Sequence, residues 1–391
     1  MAEPPDNDTI KPCKRCQDST APYTLRNAST CRNCYVEYIK DKAGKRLAVL
    51  ARDTRASVTP APRKYIAGLS FGPSSTVMTH VLDGSAKLHS SRMSSPAFES
   101  LVVHVDTDLS PSGPSHDPPA QRLLSRYRQR FPNISFEYVH LHQVLRAKTI
   151  NWASLPGGQE VGGLDGDDTC RLRNLFESLP SATSRSDLLR LLIRSLLLDM
   201  ALERAFTALL LGHSTTALAS LTLFEVANGR GYVAPRQIND GLFTVCTYEA
   251  APGCAVTREG PRKEMPVYYP LRELYRHEII LYLDLVPTLG DLVPSYAVAS
   301  SSIVSHKNLS LDEIITRYFV GLEGSYSGIV ANVVRTVGKL DRVSGQGLCS
   351  VCRMPLDEQG DLRWAGELGG DIENRGRRPR LCYGCRRTLN A

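Results

Sequence analysis

Four Cys-x-x-Cys pairs near the two ends of the chain constrain its fold more than any other feature. They use eight of the eleven cysteines in a chain of 391 residues. Two pairs can place four thiolates around one tetrahedral ion, and Zn²⁺ is the usual ion in a closed structural site. We therefore predict two structural zinc sites, one at each end of the chain, with these ligands: Cys13, Cys16, Cys31 and Cys34; Cys349, Cys352, Cys382 and Cys385.

The cysteine pattern leaves other interpretations open. Four thiolates also suit an iron–sulfur cluster, and reduced thiols or redox pairs need no metal. The insert between the pairs is 14 residues in the first module and 29 in the second, so closure of the second site is less strongly predicted. Pairs from the two modules could also mix, although local closure costs less chain entropy.

The segments around the cysteines differ in composition from the middle of the chain. We predict a basic, four-cysteine, zinc-ribbon-like module at residues 1–50 and a Pro-containing linker at 51–63. An α/β domain is predicted at 64–344, and a C-terminal four-cysteine, arginine-rich module at 345–391. The length suits two to three domains and a large buried core.

Apolar runs alternate with helical patterns through the middle of the chain. Strands are predicted at 65–69, 101–105, 134–141 and 206–211, and helices at 75–88, 121–131, 187–204, 271–284, 311–321 and 327–337. Stretches rich in Pro, Ser or Gly at 107–119 and 157–168 predict loops. The alternation predicts an α/β fold with a mostly parallel sheet and helices on both faces. Ligands of such sheets bind beyond the carboxyl ends of the strands.

The formal charge of +7 is concentrated in the terminal modules. Residues 1–64 contain 13 Lys and Arg against 7 Asp and Glu, whereas residues 65–348 contain 26 against 27. Basic, metal-held modules commonly bind phosphate backbone, so we predict contacts with RNA. The alternative is a solvated charged surface. The residues predicted to contact RNA are Lys14, Arg15, Arg32, Lys42, Lys45, Arg46, Arg377 and Arg378.

A serine- and glycine-rich turn follows the first strand predicted in the body. It reads Ser70-Phe71-Gly72-Pro73-Ser74-Ser75 and leads into a predicted helix. Backbone N–H groups at the positive end of a helix dipole bind phosphate readily. Serine-rich turns also cap helices without any ligand, so the turn alone does not decide between the two.

Two features bear on location. The longest uncharged run, 205–224, is interrupted by Gly212-His213-Ser214-Thr215-Thr216, so we do not expect it to span a membrane. The first residues are acidic and contain prolines, without the basic start and apolar stretch of a signal peptide. We therefore expect a cytoplasmic protein.

Several motifs, taken in order, resemble one known family. The turn at Ser70 to Ser75 is similar to a degraded Ser-Gly-Gly-x-Asp-Ser loop of the N-type ATP pyrophosphatases, a fold of many tRNA-thiolating enzymes. The chain resembles the cytoplasmic tRNA 2-thiolation protein 2 family over nearly its full length. The other motifs are the four cysteine pairs, Leu211-Gly212-His213-Ser214-Thr215-Thr216, Pro270-Leu271-Arg272-Glu273-Leu274 and Val333-Val334-Arg335-Thr336.

The resemblance implies a role in wobble-uridine 2-thiolation of tRNAs for Lys, Glu and Gln. In that family the subunit binds tRNA and forms a heterodimer with a catalytic paralogue, of the cytoplasmic tRNA 2-thiolation protein 1 family. The paralogue adenylates the uridine, which carries the mcm5 group, with ATP and receives sulfur from a thiocarboxylated ubiquitin-related modifier. The resemblance also implies a link to protein urmylation and an adenine nucleotide alpha hydrolase-like body.

The chain departs from the active pattern at two positions of the loop. An active loop has Asp where this chain has Ser74, and Gly where it has Phe71. Losing the carboxylate weakens the handling of Mg²⁺, and the ring occupies space near phosphate. We expect a vestigial nucleotide site and no ATP turnover by this chain alone. Its residues are Ser70, Gly72, Ser74 and Ser75.

No catalytic residue is predicted. The unpaired cysteines Cys170, Cys246 and Cys254 are expected to be buried as small apolar residues. His213 is expected to cap a helix or lie in the core, with a vestigial pocket role as the alternative. Asp106, after the second strand, is placed to contact a nucleotide or to cap the loop that follows.

Two other functions remain open from the sequence. The chain could be a self-sufficient adenylating tRNA sulfurtransferase in which a lone cysteine relays sulfur. It could also be a zinc-scaffold protein without tRNA affinity, whose basic termini bind acidic partners.

Overall fold

A six-stranded, mostly parallel sheet forms the centre of the molecule. The computed structural model describes residues 12–17, 20–54, 62–92, 98–110, 118–152, 155, 167–250, 257–294, 309–342, 347–357 and 381–389. The strands are β1 (Tyr23–Leu25), β2 (Ala28–Thr30), β3 (Arg63–Gly68), β4 (Phe98–Asp106), β5 (Ser135–His140), β6 (Ala208–Leu210), β7 (Gly241–Val245), β8 (Tyr248–Ala250), β9 (Thr257–Glu259) and β10 (Lys263–Tyr268). The central sheet has the order β5-β4-β3-β6-β10-β7, and β7 alone is antiparallel to its neighbour.

Helices cover both faces of this sheet, as predicted. They are α1 (Arg32–Asp53), α2 (Pro73–Arg92), α3 (Pro119–Arg130), α4 (Asp168–Glu177), α5 (Ala182–Glu203), α6 (Thr215–Ala227), α7 (Ala234–Ile238), α8 (Arg276–Leu285), α9 (Pro287–Gly290), α10 (Leu311–Gly338) and α11 (Tyr383–Leu389). Short 3₁₀ turns lie at Leu141–Arg146 and Gly231–Val233.

Alternate residues of the central strands β3, β4 and β6 face two separate cores. In β3, Ile66 belongs to the core formed with α5, α6 and α10. Its neighbours Tyr65 and Ala67 belong to the core formed with α1, α2 and α8. Both terminal cysteine modules contribute to these cores: Ile39 of α1 lies in the second, and Leu389 of α11 lies in the first. The burial of apolar side chains on both faces is the main term that stabilises the fold.

All four strands predicted in the body are present, and two strands of the sheet were missed. The missed strands β7 and β10 contain residues that are uncommon in strands. Strand β7 begins at Gly241, which has a φ of +136°, and β10 contains Lys263, Glu264 and Pro266. Their place in the sheet depends on the neighbours. β10 pairs with β6 on one side and with β7 on the other.

The six predicted helices differ from the structure mainly at their ends, whereas several helices, among them α1, α4 and α6, were not predicted. The helix predicted from residue 271 begins at Arg276, because residues before it form a turn that ends where the Glu278 carboxylate accepts the N–H of Tyr275 at 2.9 Å. The two helices predicted at 311–321 and 327–337 form the two halves of α10, and the non-helical backbone at Tyr326 marks the break between them. Helix α1 continues to Asp53, into the predicted linker.

Parts of the predicted linker and loops, at 55–61, 111–117 and 156–166, lie outside the described residues. Within the described part of the chain, no helix combines the length and apolarity needed to cross a bilayer.

Candidate functional site

The first four cysteines come together at the start of α1. Cys13 and Cys16 lie in a turn, and Cys31 and Cys34 lie at the N-terminal end of the helix. The four Sγ atoms are within 4.8 Å of one another. The N–H of Cys31 donates to the Cys13 Sγ at 3.3 Å. Gln17, directly after the second cysteine, has a φ of +58° and donates its N–H to the Cys13 carbonyl at 2.8 Å.

The second four cysteines are arranged in the same way. Cys349 and Cys352 lie in a turn, and Cys382 and Cys385 lie at the start of α11. Their Sγ atoms are also within 4.8 Å of one another. The N–H of Cys382 donates to the Cys349 Sγ at 3.4 Å. Arg353 repeats the backbone of Gln17, with a φ of +60° and an N–H bond to the Cys349 carbonyl at 2.9 Å. The two clusters are therefore a structural repeat.

Both donor sets fit a single tetrahedral metal ion. The Cys16 and Cys31 Sγ atoms are 3.7 Å apart, and the Cys352 and Cys382 Sγ atoms are also 3.7 Å apart. A metal–sulfur bond of about 2.3 Å gives a tetrahedron with an edge of about 3.8 Å. N–H groups that point at sulfur, as at Cys13 and Cys349, further favour thiolates. The eight ligands predicted from spacing are thus grouped as the sequence indicated.

The two clusters differ in burial. Cys16 is exposed and Cys34 is partly exposed, whereas all four cysteines of the second cluster are buried. The second cluster is also tied to the body by Arg353, whose guanidinium donates to the Thr149 carbonyl at 3.0 Å and to the Ser195 hydroxyl. The second cluster is therefore part of the core, while the first has an edge at the surface.

Sequence reasoning missed a buried ion network beneath α11. Arg230 donates to Asp187 at 2.6 Å and to Glu225 at 2.7 Å, and all three side chains are 0% exposed. The Thr388 hydroxyl of α11 donates to Asp187 at 2.7 Å. Burial by itself raises the pKa of Asp187, but the charges of Arg230 and Arg190 bring it below its ordinary value. Nothing in the sequence around Arg230 indicates that it pairs with Asp187, which lies 43 positions earlier in the chain.

The turn after β3 has the position expected of a phosphate loop, but Phe71 changes its geometry. The Phe71 φ is +57°, in the left-handed region that favours glycine. Its ring is buried and packs against His104, with ring centroids 4.0 Å apart, and against Tyr127, at 5.3 Å. The chain thus keeps the backbone conformation of a glycine position while filling the space beside it with a ring.

Serine hydroxyl oxygens of the same turn accept two of its backbone N–H groups. The Ser70 N–H donates to the Ser75 Oγ at 3.3 Å, and the Gly72 N–H lies 3.4 Å from the Ser70 Oγ. The Ser75 hydroxyl donates to the Gly72 carbonyl at 3.0 Å. The helix after the turn begins at Pro73, which has no N–H to offer. Two N–H groups of the loop therefore face its own side chains, and Pro73 offers none.

A cavity of about 540 Å³ lies beyond the carboxyl ends of β3, β4 and β6. Ser70 and Ser75 line it, whereas Gly72 and Ser74 are not among its described lining residues. The rest of the lining is mainly apolar, from residues such as Leu189, Ile193 and Leu197. Of the described residues around the cavity, none is an aspartate, glutamate, lysine or arginine. The cavity lies where a nucleotide binds in sheets of this kind, but its described lining has no acidic residue, lysine or arginine.

His213 lines this cavity and does not cap a helix. Ser214 is the capping residue of α6, and its hydroxyl accepts the N–H of Ala217 at 3.2 Å. The His213 ring meets Tyr269 edge-on at 5.3 Å. Burial and the charges of Arg194 and Arg190 lower the pKa of His213 to about 4, so the ring is neutral at pH 7.

Asp106 bonds to the loop that follows it and to the neighbouring strand β5. It accepts the Asp108 N–H at 3.0 Å and the Tyr138 hydroxyl, which matches the capping alternative.

The cysteines outside the two clusters differ in burial. Cys246 is buried as predicted, and burial raises its pKa to about 12. The prediction for Cys170 is wrong, because it is exposed on the face of α4 opposite the buried Leu172. Cys254 lies outside the described residues.

Several residues predicted to contact RNA dock the first module onto the body. Lys42 bonds Glu273 at 2.9 Å, Arg46 pairs with Asp240, and Arg32 donates to the Leu285 carbonyl at 2.7 Å. Three others are exposed to solvent, namely Lys14, Arg15 and Lys45. Arg377 and Arg378 lie outside the described residues.

Comparison with known proteins identifies the family. The model of the family described as cytoplasmic tRNA 2-thiolation protein 2 matches residues 310–371. A protein of that name from Sclerotinia sclerotiorum is 34% identical over 325 residues, which are 82% of this chain and 80% of that protein. The chain belongs to the cytoplasmic tRNA 2-thiolation protein 2 family. A second member, from Phaeosphaeria nodorum, is 32% identical over 98% of this chain and 96% of that protein.

Family membership makes the chain a component of cytoplasmic tRNA 2-thiolation and agrees with the predicted location, since its relatives are named as cytoplasmic proteins. A solved structure shares the fold: the U34-tRNA thiolase NcsA from Methanococcus maripaludis, determined with its [4Fe-4S] cluster. Its TM-score is 0.50 at 15% identity, over 95% of this chain and 100% of that one. The predicted α/β class is therefore confirmed.

Proposed function

We propose that this chain is the non-catalytic subunit of a tRNA wobble-uridine 2-thiolation complex. It binds tRNA and supports a catalytic paralogue of the cytoplasmic tRNA 2-thiolation protein 1 family. The paralogue adenylates the uridine and transfers sulfur from a thiocarboxylated ubiquitin-related modifier. The observation that carries the non-catalytic part is the turn at Ser70 to Ser75, where the N–H groups of Ser70 and Gly72 face serine oxygens of the same turn beside a buried Phe71.

The loop lacks three things that ATP activation needs. Phosphate must approach backbone N–H groups, but those of Ser70 and Gly72 face serine oxygens. Mg²⁺ prefers carboxylate ligands, but Ser74 stands at the acidic position of the loop. Cations must balance developing negative charge, but the described lining of the cavity has none.

We further propose that each four-cysteine cluster holds one zinc ion. A [4Fe-4S] cube places its four thiolates on four different irons, so its ligand sulfurs surround a larger body than one ion does. Spacings of 3.7 Å, and none above 4.8 Å, support a single ion at each cluster. Zinc has no redox chemistry, and in a closed site its contribution is to hold the two chain segments together.

Release of pyrophosphate tests the non-catalytic assignment. The purified full-length chain is incubated with ATP, Mg²⁺ and unmodified tRNA, with and without the catalytic paralogue and the sulfur carrier. We expect no tRNA-dependent pyrophosphate and no 2-thiouridine from the chain alone, and 2-thiouridine from the complete mixture. Pyrophosphate release by this chain alone would contradict the proposal.

The variant Ser74→Ala separates the proposal from a self-sufficient enzyme. It removes the hydroxyl at the acidic position of the loop, so we expect thiolation by the complex to continue at a similar rate. Loss of thiolation with intact assembly would favour the self-sufficient sulfurtransferase.

Metal content tests the cluster assignment. Mass spectrometry of the purified chain should find two zinc ions per chain, and Cys16→Ser and Cys382→Ser should each lower the count by one. Iron together with the visible absorption of an iron–sulfur cluster would overturn it.

A further inference from the structure

A groove of about 610 Å³ lies where three distant parts of the chain meet. Arg26 and Lys42 come from the first cysteine module, Arg272 and Glu273 from the turn before α8, and Arg335 and Lys339 from the end of α10. Two motifs noted in the sequence, at 270–274 and 333–336, therefore meet in one place. Neither contributes to the clusters or to the loop described above.

Positive charge exceeds negative charge in this groove. Its described lining has five cations and one carboxylate, that of Glu273. Three of the cations have acidic partners: Arg26 bonds Glu278 at 2.9 Å, Lys42 bonds Glu273 at 2.9 Å, and Arg272 approaches Asp240 at 3.3 Å. Arg335 and Lys339 are exposed, and the Arg335 guanidinium donates to the neutral Asn332 side chain at 3.2 Å.

The pKa values of two partly buried arginines at the groove lie below their ordinary value. Burial lowers the pKa of Arg272 below its ordinary value. Burial and the charge of Arg272 lower the pKa of Arg46, which lies next to the groove and also approaches Glu273 at 3.8 Å. The carboxylates beside these two arginines therefore do not fully offset the cost of burying their charges.

The basic surface continues beyond the groove onto the cysteine module. The Tyr38 ring has three cations around it: Arg15 at 4.6 Å from its centroid, Arg26 at 5.7 Å and Lys42 at 6.0 Å. Arg26 also lies over the Tyr275 ring at 4.9 Å. The path from Arg15 through Arg26 and Lys42 to the end of α10 is therefore continuous, and we call it the basic groove.

We propose that the basic groove binds the phosphate backbone of an RNA segment. This inference rests on the proposed function, because it assigns the tRNA contacts of the subunit to specific residues outside those predicted from the sequence. Arg272, Arg335 and Lys339 are the new contacts, and Arg26 and Lys42 link them to the cysteine module.

The extent and composition of the groove favour RNA over other anions. A single phosphate or carboxylate needs one or two cations, whereas this surface offers a row of them along two elements and a turn. Three of the five lining cations are arginines, whose planar guanidinium suits phosphate oxygens. An acidic peptide is the other polyanion that could bind, and the experiment includes it.

The test compares variants with opposite expected effects. Arg335→Gln/Lys339→Gln removes two exposed charges, and Lys87→Gln/Arg122→Gln, on the exposed faces of α2 and α3, is the matched control. Binding of fluorescent tRNA to the full-length chain is measured at salt concentrations from about 0.05 to about 0.3 M, a range that includes physiological ionic strength. Each lost phosphate contact should make the salt slope shallower by about 0.7 and weaken binding about 5-fold at 0.1 M salt.

We expect Arg335→Gln/Lys339→Gln to weaken tRNA binding about 25-fold with a slope shallower by about 1.4, and the control to bind like the parent. Glu273→Gln should bind about 5-fold more tightly, because it removes the one carboxylate of the groove. A folding defect would weaken tRNA binding, so tighter binding by this variant cannot come from misfolding. Thermal melting of each variant checks that α10 keeps its stability, since cations in a last turn also favour the helix end.

The outcomes separate the two proposals. If the parent binds tRNA and Arg335→Gln/Lys339→Gln binds it equally well, the basic groove is refuted while the tRNA-binding role of the subunit stands. If the parent itself does not bind tRNA, the proposed function fails as well. Equal competition by a poly-glutamate peptide of matched charge would show an acidic-peptide site and overturn the RNA assignment.

Discussion

Replacing Phe71 by alanine and by glycine tests whether position 71 has a backbone conformation that favours glycine, although the chain has phenylalanine there. The Phe71 ring is 4% exposed and contacts His104 and Tyr127. Removing a buried phenylalanine side chain costs about 3–5 kcal/mol in free energy of unfolding. Both variants lose this packing, so the informative quantity is the difference between them.

The sign of that difference follows from the backbone. With a φ of +57°, any residue with a Cβ at position 71 carries about 1–2 kcal/mol of conformational cost that glycine avoids. Glycine in turn loses about 0.5–1 kcal/mol more than alanine through its greater freedom in the unfolded chain. We therefore expect Phe71→Gly to be more stable than Phe71→Ala by about 0.5–1 kcal/mol.

Phe131 supplies the matched control. It is fully buried, packs against Tyr127 at 5.8 Å between ring centroids, and has an ordinary φ of −125°. At this position the backbone gives glycine no advantage, so Phe131→Ala should be the more stable of its pair by about 0.5–1 kcal/mol.

Urea titrations of the four variants, followed by circular dichroism, measure the two differences. The order of stability should reverse between the two positions. If alanine is the better residue at both, Phe71 is not held in a strained conformation, and this loop does not retain the backbone geometry of a phosphate-binding turn.

Three further predictions concern the core and the clusters. Thr388→Val should lower the free energy of unfolding by about 1–3 kcal/mol, because Asp187 loses a buried donor, whereas Thr388→Ser should stay near the parent in the same denaturation assay. Burial lowers the pKa of His80 and of His213 to about 4, so each binds a proton less readily when folded; the stability they contribute is complete above about pH 6.5 and is lost as the pH falls toward 4. A His80→Gln/His213→Gln variant should therefore show a smaller loss of melting temperature between pH 7 and 5 than the parent does, and an unchanged loss would contradict it. Cys382→Ser should lower the melting temperature of the whole chain more than Cys16→Ser, because Cys382 lies in the core and Cys16 at the surface; equal effects would argue against the difference in burial as the cause.

The basic groove and the buried network show where prediction from sequence stops. Lys42 and Arg46 carry the charge expected of RNA contacts, yet they pair with Glu273 and Asp240, more than 190 positions away in the chain. Arg335 and Lys339 were not predicted to bind RNA, yet they line the same groove as Arg26. Charge is visible in a sequence, but the partner that neutralises it is chosen by packing.

The sequence by itself determined the features that depend on short spacing along the chain. Two Cys-x-x-Cys pairs can close on an ion because each pair is a local turn, and alternating apolar runs predict β3, β4, β5 and β6 because side-chain period follows backbone geometry. Only the tertiary structure decided that the second cluster lies in the core, that Phe71 fills the loop, and that cations from positions 26 to 339 share one groove. These arrangements depend on which surfaces bury one another, and such contacts join residues whose separation in the sequence carries no signal.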